Sequence, residues 1–122
     1  MKKIRIAGTV FALFSVVLGA FASHFLKTLL TETSLHSFET GTRYMMYHGL
    51  ALLLVSVMNM EDKKWIFRFF FWGTILFSFS IFFLSFQSVI KVDLSWIGPI
   101  TPIGGTSLIF GWFFLLIKLI KA

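Results

Sequence analysis

The stretch GAFASHFL, from Gly19 to Leu26, decides how many long helices the folded chain keeps. A basic start, an apolar run and the Ala20-x-Ala22 pattern are typical of an export signal and its cleavage site. A histidine soon after that pattern, with a second histidine in the later stretch YMMYHGL, favours a retained helix beside a buried polar cluster. A cleaved segment predicts three membrane spans, and a retained segment predicts four.

The composition of the chain is that of a membrane protein. Of its 122 residues, 57% are hydrophobic and 13% are charged, and its mean hydropathy is +0.89. Soluble domains carry about 25% charged residues, so this chain lacks the polar surface that a water-soluble globule needs. The 17 Phe and 4 Trp residues agree, because aromatic side chains are stable in lipid and at its interface. Since there is no cysteine, disulfides and thiolate metal sites are excluded.

Four apolar segments predict helices that cross a bilayer, which takes about 20 residues each. They cover approximately residues 6–26, 44–60, 65–86 and 103–120. The second segment is shorter, and it gains length if its helix begins near Ser34. The connections are too short for a second domain. We therefore predict an all-α, integral membrane four-helix bundle that forms one domain over residues 1–122.

The distribution of basic residues predicts that both termini are cytoplasmic, because Lys and Arg concentrate in cytoplasmic loops. Eight lie at the amino terminus, the second loop and the carboxyl terminus: Lys2, Lys3, Arg5, Lys63, Lys64, Arg68, Lys118 and Lys121. Only Lys27, Arg43 and Lys91 belong to the first and third loops. The second loop faces the cytoplasm whether the first segment is cleaved or retained. The distribution of basic residues therefore does not distinguish three spans from four.

Small residues on one face of the first segment favour a retained helix. Helices in lipid pack closely where small side chains let their backbones approach. The predicted packing stripe comprises Gly8, Ala12, Ser15, Gly19 and Ser23. A similar seam in the fourth segment comprises Gly104, Ser107 and Gly111. A signal peptide that is removed needs no packing face, so we expect an uncleaved chain with four spans.

The stretch IGPITPIGG, just before the fourth segment, predicts an ordered turn at the outer surface. Pro99 and Pro102 disfavour helix in the residues that precede them. A re-entrant loop is the alternative. Non-helical backbone at membrane depth needs protein or a water-filled cavity to satisfy it, so the turn is preferred.

The residues that could carry chemistry concentrate near the outer half of the first two segments. This predicted polar cluster comprises His24, Glu39, Arg43, Tyr44, Tyr47 and His48. On a helix that begins near Ser34, Tyr44 and His48 share one face. Glu39 precedes Arg43 by four residues, which is the favourable order for an ion pair. Such a histidine commonly has a structural role, in which it hydrogen-bonds a neighbouring backbone group and fixes helix register. Metal or haem ligation is the alternative, because neutral imidazole is a common ligand.

No catalytic motif accompanies these residues. The sequence contains no HExxH, GxSxG or phosphate-loop pattern, so we expect no enzyme, no metal site and no cofactor. Small multidrug exporters also have four helices, but they depend on a carboxylate deep in the first span, and residues 6–23 contain none. The basic residues lie singly or in short clusters beside apolar runs, which favours anionic lipid over nucleic acid as a partner. A second copy of the chain or another membrane protein is a further candidate partner.

Four sequence blocks in combination resemble a known family of small membrane proteins. The blocks are LGAFASHFL, FETGTRYMMYHGLALL, ILFSFSIFFLS and GPITPIGGTSLIFGW, within residues 8–112. They are similar to the domain of unknown function 423 family, which is related to the transmembrane protein 256 group. The family usually has Ala at the position of Ser23 and often has Ala at that of Gly49. The motif positions are His24, Tyr44, Tyr47, His48, Pro102, Gly104, Gly105 and Trp112. The resemblance implies four spans with an uncleaved first helix, and it implies no activity.

The hypothesis that best fits these features is a small non-enzymatic protein of the bacterial plasma membrane that supports membrane integrity or partner assembly. Small-residue seams close the bundle, Phe-rich faces contact lipid, and the cytoplasmic cations bind anionic headgroups at about 1 kcal/mol each. The alternative is transport or binding of a small molecule, a metal or haem, centred on His24 and His48.

Overall fold

The computed structural model describes residues 1–122, and the chain is helical with no strand. In chain order the elements are α1 (Lys2–Ser23), α2 (Leu26–Leu29), α3 (Glu32–Val57), α4 (Lys64–Thr74), a π-helical turn (Ile75–Phe79), α5 (Ser80–Ser85), α6 (Gln87–Ile90), a 3-10 turn (Ser95–Ile97) and α7 (Ile100–Lys121). The elements α4, the π-helical turn and α5 follow one another without a break and are called the third rod below. The predicted all-α class is confirmed.

Three segments are long and apolar enough to cross a membrane: Lys2–Ser23, Lys64–Ser85 and Ser95–Lys121. The helix α3 is not among them, although its 26 residues make it the longest helix. Its first half carries the charged side chains Glu32, Glu39 and Arg43 and the imidazole of His36. By length and composition, therefore, three of the four predicted spans are supported.

The bounds of the first two long helices differ from the predicted ones. The helix α3 begins at Glu32, close to the earlier start near Ser34 that the sequence allowed and well before Tyr44, because the Thr31 hydroxyl accepts a hydrogen bond from the backbone N–H of Ser34 at 3.1 Å. The helix α1 ends at Ser23 rather than at Leu26, and the short helix α2 follows it. The stretch GAFASHFL therefore contains the end of α1 and the beginning of α2.

In the stretch IGPITPIGG only the first three residues, 97–99, belong to the predicted turn, and the rest is helical because α7 begins at Ile100. The 3-10 turn is followed by Pro99, the residue that precedes α7. Pro102 lies in the first turn of α7, where the missing backbone N–H removes no helical hydrogen bond. Asp93 accepts hydrogen bonds from the Ser95 hydroxyl at 2.6 Å and from its backbone N–H at 3.0 Å, and these bonds lower the pKa of Asp93.

The four long segments pack as two helical hairpins. The helix α1 lies along α3, the third rod lies along α7, and α3 joins the two pairs through its contacts with the third rod. The Phe11 ring of α1 also stacks on the Phe71 ring of α4, with centroids 5.6 Å apart. Met45, Leu52 and Phe70 are fully buried between the hairpins. The core therefore lies where α3 meets the third rod.

Glycines set the closest backbone approach within the first hairpin. A Cβ atom added at Gly8 would lie 2.7 Å from the carbonyl oxygen of Gly49, and one added at Gly49 would lie 2.8 Å from the carbonyl oxygen of Gly8. The added atom at Gly49 would also lie 3.0 Å from the backbone nitrogen of Ala12. Since both first contacts are with backbone atoms, no larger residue fits at Gly8 or Gly49 unless the two helices move apart.

The second hairpin has the same kind of contact along the seam on α7. A Cβ atom added at Gly104 would overlap the backbone nitrogen of Phe77, and one added at Gly111 would lie 2.6 Å from a ring carbon of Phe70. Between these two positions, the Ser107 hydroxyl donates to the carbonyl oxygen of Phe69 at 2.9 Å. All three residues of this seam therefore contact the third rod.

The stripe on α1 contacts α3 only over its first part. Gly8 and Ser15 are buried, whereas a Cβ atom added at Gly19 would meet no atom within 4 Å. Ser23 is exposed, and its hydroxyl bonds back to the Gly19 carbonyl oxygen at 3.1 Å. An α-helix turns about 100° per residue, so Gly19 lies about 20° and Ser23 about 60° around the helix from Gly8, and rotation of the stripe alone does not explain why Gly19 meets no atom. Ala22 is buried in place of its neighbour Ser23. The expectation that Gly19 and Ser23 continue the packing face is therefore wrong.

The π-helical turn brings a hydroxyl group across to the first hairpin. Ser78 is fully buried in this turn and donates to the carbonyl oxygen of Gly41 on α3 at 2.8 Å. The hydroxyl of Thr74, just before the turn, is buried without a hydrogen-bond partner. Turns of π-helix are rare and frequently lie at functional sites, so the surroundings of this one are the first place to look for a site.

We expect Gly104→Ala to destabilise the protein by about 1–3 kcal/mol, because the added methyl group overlaps backbone that cannot move independently. The matched control is Gly19→Ala, where the methyl group enters open space and helix propensity favours Ala by up to about 1 kcal/mol. Unfolding of both variants in mixed micelles with increasing denaturing detergent measures the difference. Equal stabilities would show that the Gly104 contact does not hold the hairpin.

Candidate functional site

A cavity of about 430 Å³ opens beside the π-helical turn, between α3 and α7. Its lining residues are Tyr44, His48, Phe77, Pro102, Gly105, Thr106, Leu108, Ile109 and Trp112. Five of them belong to the motif positions of the family resemblance: Tyr44, His48, Pro102, Gly105 and Trp112. Two blocks that lie far apart in the sequence therefore meet at one place in the fold, and we take this cavity as the candidate functional site.

His48 is the polar centre of the cavity and is only 4% exposed. Its Nδ1 atom lies 2.7 Å from the carbonyl oxygen of Tyr44. A carbonyl oxygen can only accept, so Nδ1 carries the proton. The Nε2 atom is then an acceptor, and the indole N–H of Trp112 donates to it at 3.0 Å. Both imidazole nitrogens are thus satisfied in a single tautomer, and the second bond joins α3 to α7.

Aromatic rings surround the His48 imidazole. Phe70 and Trp112 meet it edge-on, with ring centroids at 5.4 Å and 5.8 Å, and Tyr44 stacks on it at 6.1 Å. Tyr44 in turn contacts Phe77 of the π-helical turn at 4.9 Å. Because these rings come from α3, the third rod and α7, the imidazole lies at a junction of three segments.

His24 lies apart from this junction. It is exposed at the end of α1, where it lines a separate surface pocket of about 550 Å³ with Phe21 and Phe25. Its backbone N–H donates to the carbonyl oxygen of Phe21 at 3.3 Å, and its imidazole forms no hydrogen bond. The sequence suggested that His24 could approach the face of α3 that carries His48, and the structure does not bring the two histidines together.

The remaining members of the predicted polar cluster lie on the outer surface of α3. The guanidinium of Arg43 donates to the Thr40 hydroxyl at 3.1 Å rather than to Glu39. Exposed ion pairs are worth about 0–1 kcal/mol, so the favourable spacing alone does not enforce a pair. Tyr47 is 51% exposed and contacts the Tyr44 ring at 5.7 Å. Of the six predicted residues, only Tyr44 and His48 line the cavity.

Trp112 is the site residue whose partner the sequence does not reveal. The family resemblance singles out Trp112, but spacing relates residues only within one helix. The hydrogen bond from Trp112 to His48 joins residues 64 positions apart in the chain. A buried imidazole in an apolar helix requires a donor or acceptor for each nitrogen, and that requirement is the one signal that points to a polar group on another helix.

The chemistry available in the cavity is limited to hydrogen bonding and aromatic contact. The Nε2 lone pair of His48 is occupied by Trp112, so a metal ion would have to displace the indole. No group of three or more His, Cys, Asp or Glu side chains could hold a metal ion. The Thr106 hydroxyl donates to the carbonyl oxygen of Pro102 at 2.8 Å. The cavity is therefore suited to an apolar or weakly polar occupant.

The fold and the site together define a small all-helical membrane protein in which buried polar groups join neighbouring helices. A family model described as "Protein of unknown function (DUF423)" matches residues 18–105, and the chain belongs to this family. The predicted family is thus confirmed.

Curated relatives cover nearly the whole chain. A UPF0382 membrane protein of Staphylococcus epidermidis is 36% identical over 99% of this chain and 98% of its own length. The UPF0382 membrane protein YwdK of Bacillus subtilis is 33% identical over the same shares. A UPF0382 membrane protein of Haemophilus influenzae is 38% identical over 81% of this chain and 78% of its own length. No solved structure matches the chain. These bacterial membrane proteins and the three apolar helices confirm the predicted location in a cell membrane.

We expect Trp112→Phe to destabilise the protein, because it leaves the buried Nε2 atom of His48 without a donor while it keeps an aromatic ring. A double-mutant cycle with His48→Ala should give a coupling of about 0.6 kcal/mol and at most about 1.7 kcal/mol, the average and the maximum for hydrogen bonds between helices in lipid. The matched control is Trp96→Phe, since Trp96 is 71% exposed. Stability in mixed micelles is the readout, and zero coupling would contradict the assigned bond.

Proposed function

We propose that this protein crosses the membrane four times, with α3 as the remaining span and with both termini in the cytoplasm. The reciprocal contact between Gly8 and Gly49 supports this arrangement. If α1 spans the membrane, the part of α3 that packs against α1 must lie at the same depth in the membrane. The polar first half of α3 then lies toward the outer interface.

The positions of the cations support the orientation. The Lys63 ammonium lies 3.6 Å from the sulfur of Met1 and donates to the carbonyl oxygen of Ser56 at 3.1 Å. The Lys118 ammonium donates to the carbonyl oxygen of Glu61 at 2.8 Å. The amino terminus, the connection between α3 and α4 and the end of α7 therefore lie together at one end of the molecule. Since this end carries most of the Lys and Arg residues, it faces the cytoplasm.

The protein is non-enzymatic and supports membrane integrity or the assembly of a membrane partner. The proposal rests on how polar and apolar side chains are distributed between the interior of the bundle and its outer surface. The buried imidazole and the buried Ser78 hydroxyl bond to other helices, whereas large apolar side chains such as Leu13, Phe113 and Ile120 are more than half exposed. An outer surface of this kind contacts lipid or the apolar face of another membrane protein.

Loss of the protein should raise the permeability of the membrane. We expect deletion cells to leak a small entrapped fluorophore faster and to be more sensitive to membrane-active agents. Expression of the wild type or of Gly19→Ala should restore the barrier, and Gly104→Leu, which cannot keep the α7 contact, should not. Unchanged leakage and sensitivity in deletion cells would contradict the integrity role.

Binding of a small molecule is a second candidate function, and the cavity of Tyr44, His48 and Trp112 is the observation that favours it. Its volume of about 430 Å³ is within the usual range for ligand sites, about 300–1,000 Å³. The metal or haem form of this hypothesis needs His24 beside His48, and the two histidines line different pockets.

Native mass spectrometry after mild extraction tests this second candidate. A ligand in the cavity should add mass to the wild type and to His24→Gln, and the mass should be lost from His48→Gln. His24→Gln is the matched control, because it makes the same exchange outside the cavity. Wild-type protein without any added mass other than lipid or detergent would contradict the candidate.

A further inference from the structure

A second and larger cavity lies on the outside of the molecule, between the first turns of α1 and α4. It has a volume of about 850 Å³ and is open to the side. The stacked rings of Phe11 and Phe71 join its two walls. It shares no lining residue with the cavity at His48, so it is a separate feature of the fold.

The charges of this groove are concentrated at one end. Lys2 and Lys3 lie in the first turn of α1, and Arg68 lies about one turn into α4. The Arg68 guanidinium is held over the Trp65 ring at 5.0 Å from its centroid. No acidic residue lines the groove, so its three cations are not neutralised there.

The rest of the groove is apolar. Val10 and Phe11 continue the wall on α1, and Phe71 and Trp72 continue the wall on α4. From Lys3 to Val10 the helix rises about 10 Å, at 1.5 Å per residue. One leaflet of the hydrocarbon core is about 15 Å deep, so the apolar part spans most of the depth of one leaflet.

We propose that this groove binds one anionic phospholipid of the cytoplasmic leaflet. The phosphate lies among Lys2, Lys3 and Arg68, and an acyl chain lies along Val10 and Trp72. The argument for this occupant is the match in charge and polarity, since a phospholipid is an anionic group joined to an apolar chain in the same order as the groove. A soluble anion lacks the apolar part, whereas one phospholipid molecule supplies both. This proposal adds a specific lipid-binding site to the proposed function. Its choice of the cytoplasmic leaflet rests on the orientation that was proposed there.

Lipid retention in native mass spectrometry tests the proposal, with phosphatidylglycerol and phosphatidylcholine of identical acyl chains as probes. Each cation near a membrane surface changes the affinity for anionic lipid about fivefold. The variant Lys2→Gln/Lys3→Gln/Arg68→Gln should therefore bind phosphatidylglycerol on the order of a hundredfold more weakly than the wild type. Phosphatidylcholine binding should be weak and equal in both proteins.

The matched control is Arg5→Gln/Lys64→Gln/Lys121→Gln. It removes three cations from the same end of the molecule but outside the groove. Arg5 and Lys64 lie within one helical turn of Lys2 and Arg68, so salt screens them only in part, but they do not line the groove, and retention by this control should fall clearly less than retention by the groove variant. The charge-preserving variant Lys2→Arg/Lys3→Arg/Arg68→Lys should retain the lipid. Equal losses in the groove variant and in this control would overturn the proposal.

Two further arms separate a lipid from other sources of phosphate. Ala7→Leu narrows the apolar part while it keeps all three cations, and it should weaken lipid retention. Inorganic phosphate should not displace the lipid, and displacement would mean that the groove binds a free anion. These measurements use purified protein, so a negative result would overturn only the proposal that the groove binds an anionic phospholipid. An unchanged barrier in deletion cells would overturn the integrity role alone.

Discussion

In a bilayer an apolar side chain gains little by exchanging lipid for another helix, so helices stay together where their backbones approach closely. The contact of Gly8 with Gly49 and that of Gly104 with Phe77 provide this approach in the two hairpins. Both are contacts with backbone atoms, which cannot be relieved by a change of rotamer. These two contacts set the distance and the register within each hairpin, and the contacts of α3 with the third rod then join the hairpins.

The candidate site follows from that register. Gly104 fixes α7 against the π-helical turn, and Trp112 lies further along the same helix, where its indole reaches His48. Ser78 of the π-helical turn bonds to α3 from the other side. A helix shift of one residue would leave the imidazole and the indole unpaired in an apolar environment, which is costly. The polar bonds therefore select one arrangement of helices that the glycine contacts make possible.

Much of the fold could be predicted from local sequence, and the partners within the site could not. Long apolar runs predict helices because the backbone must satisfy itself in lipid, and small residues at helical spacing predict a contact face. Such spacing does not say how far a contact continues along the helix, so Gly19 was assigned to the packing face although a Cβ atom there would meet no atom within 4 Å. It also does not say which helix a face meets. His24 and His48 were therefore grouped on the basis of sequence, whereas the true partner of His48 is Trp112.

The crossing of the membrane by α3 together with α1 is directly testable, because the chain contains no native cysteine. Single cysteines at Thr33 and Asn59, two exposed positions, flank the two ends of α3. In intact cells a membrane-impermeant thiol reagent should label Thr33→Cys, and it should label Asn59→Cys only after permeabilisation. Labelling of both positions from the same side would show that α3 does not cross the membrane and would contradict the four-span account.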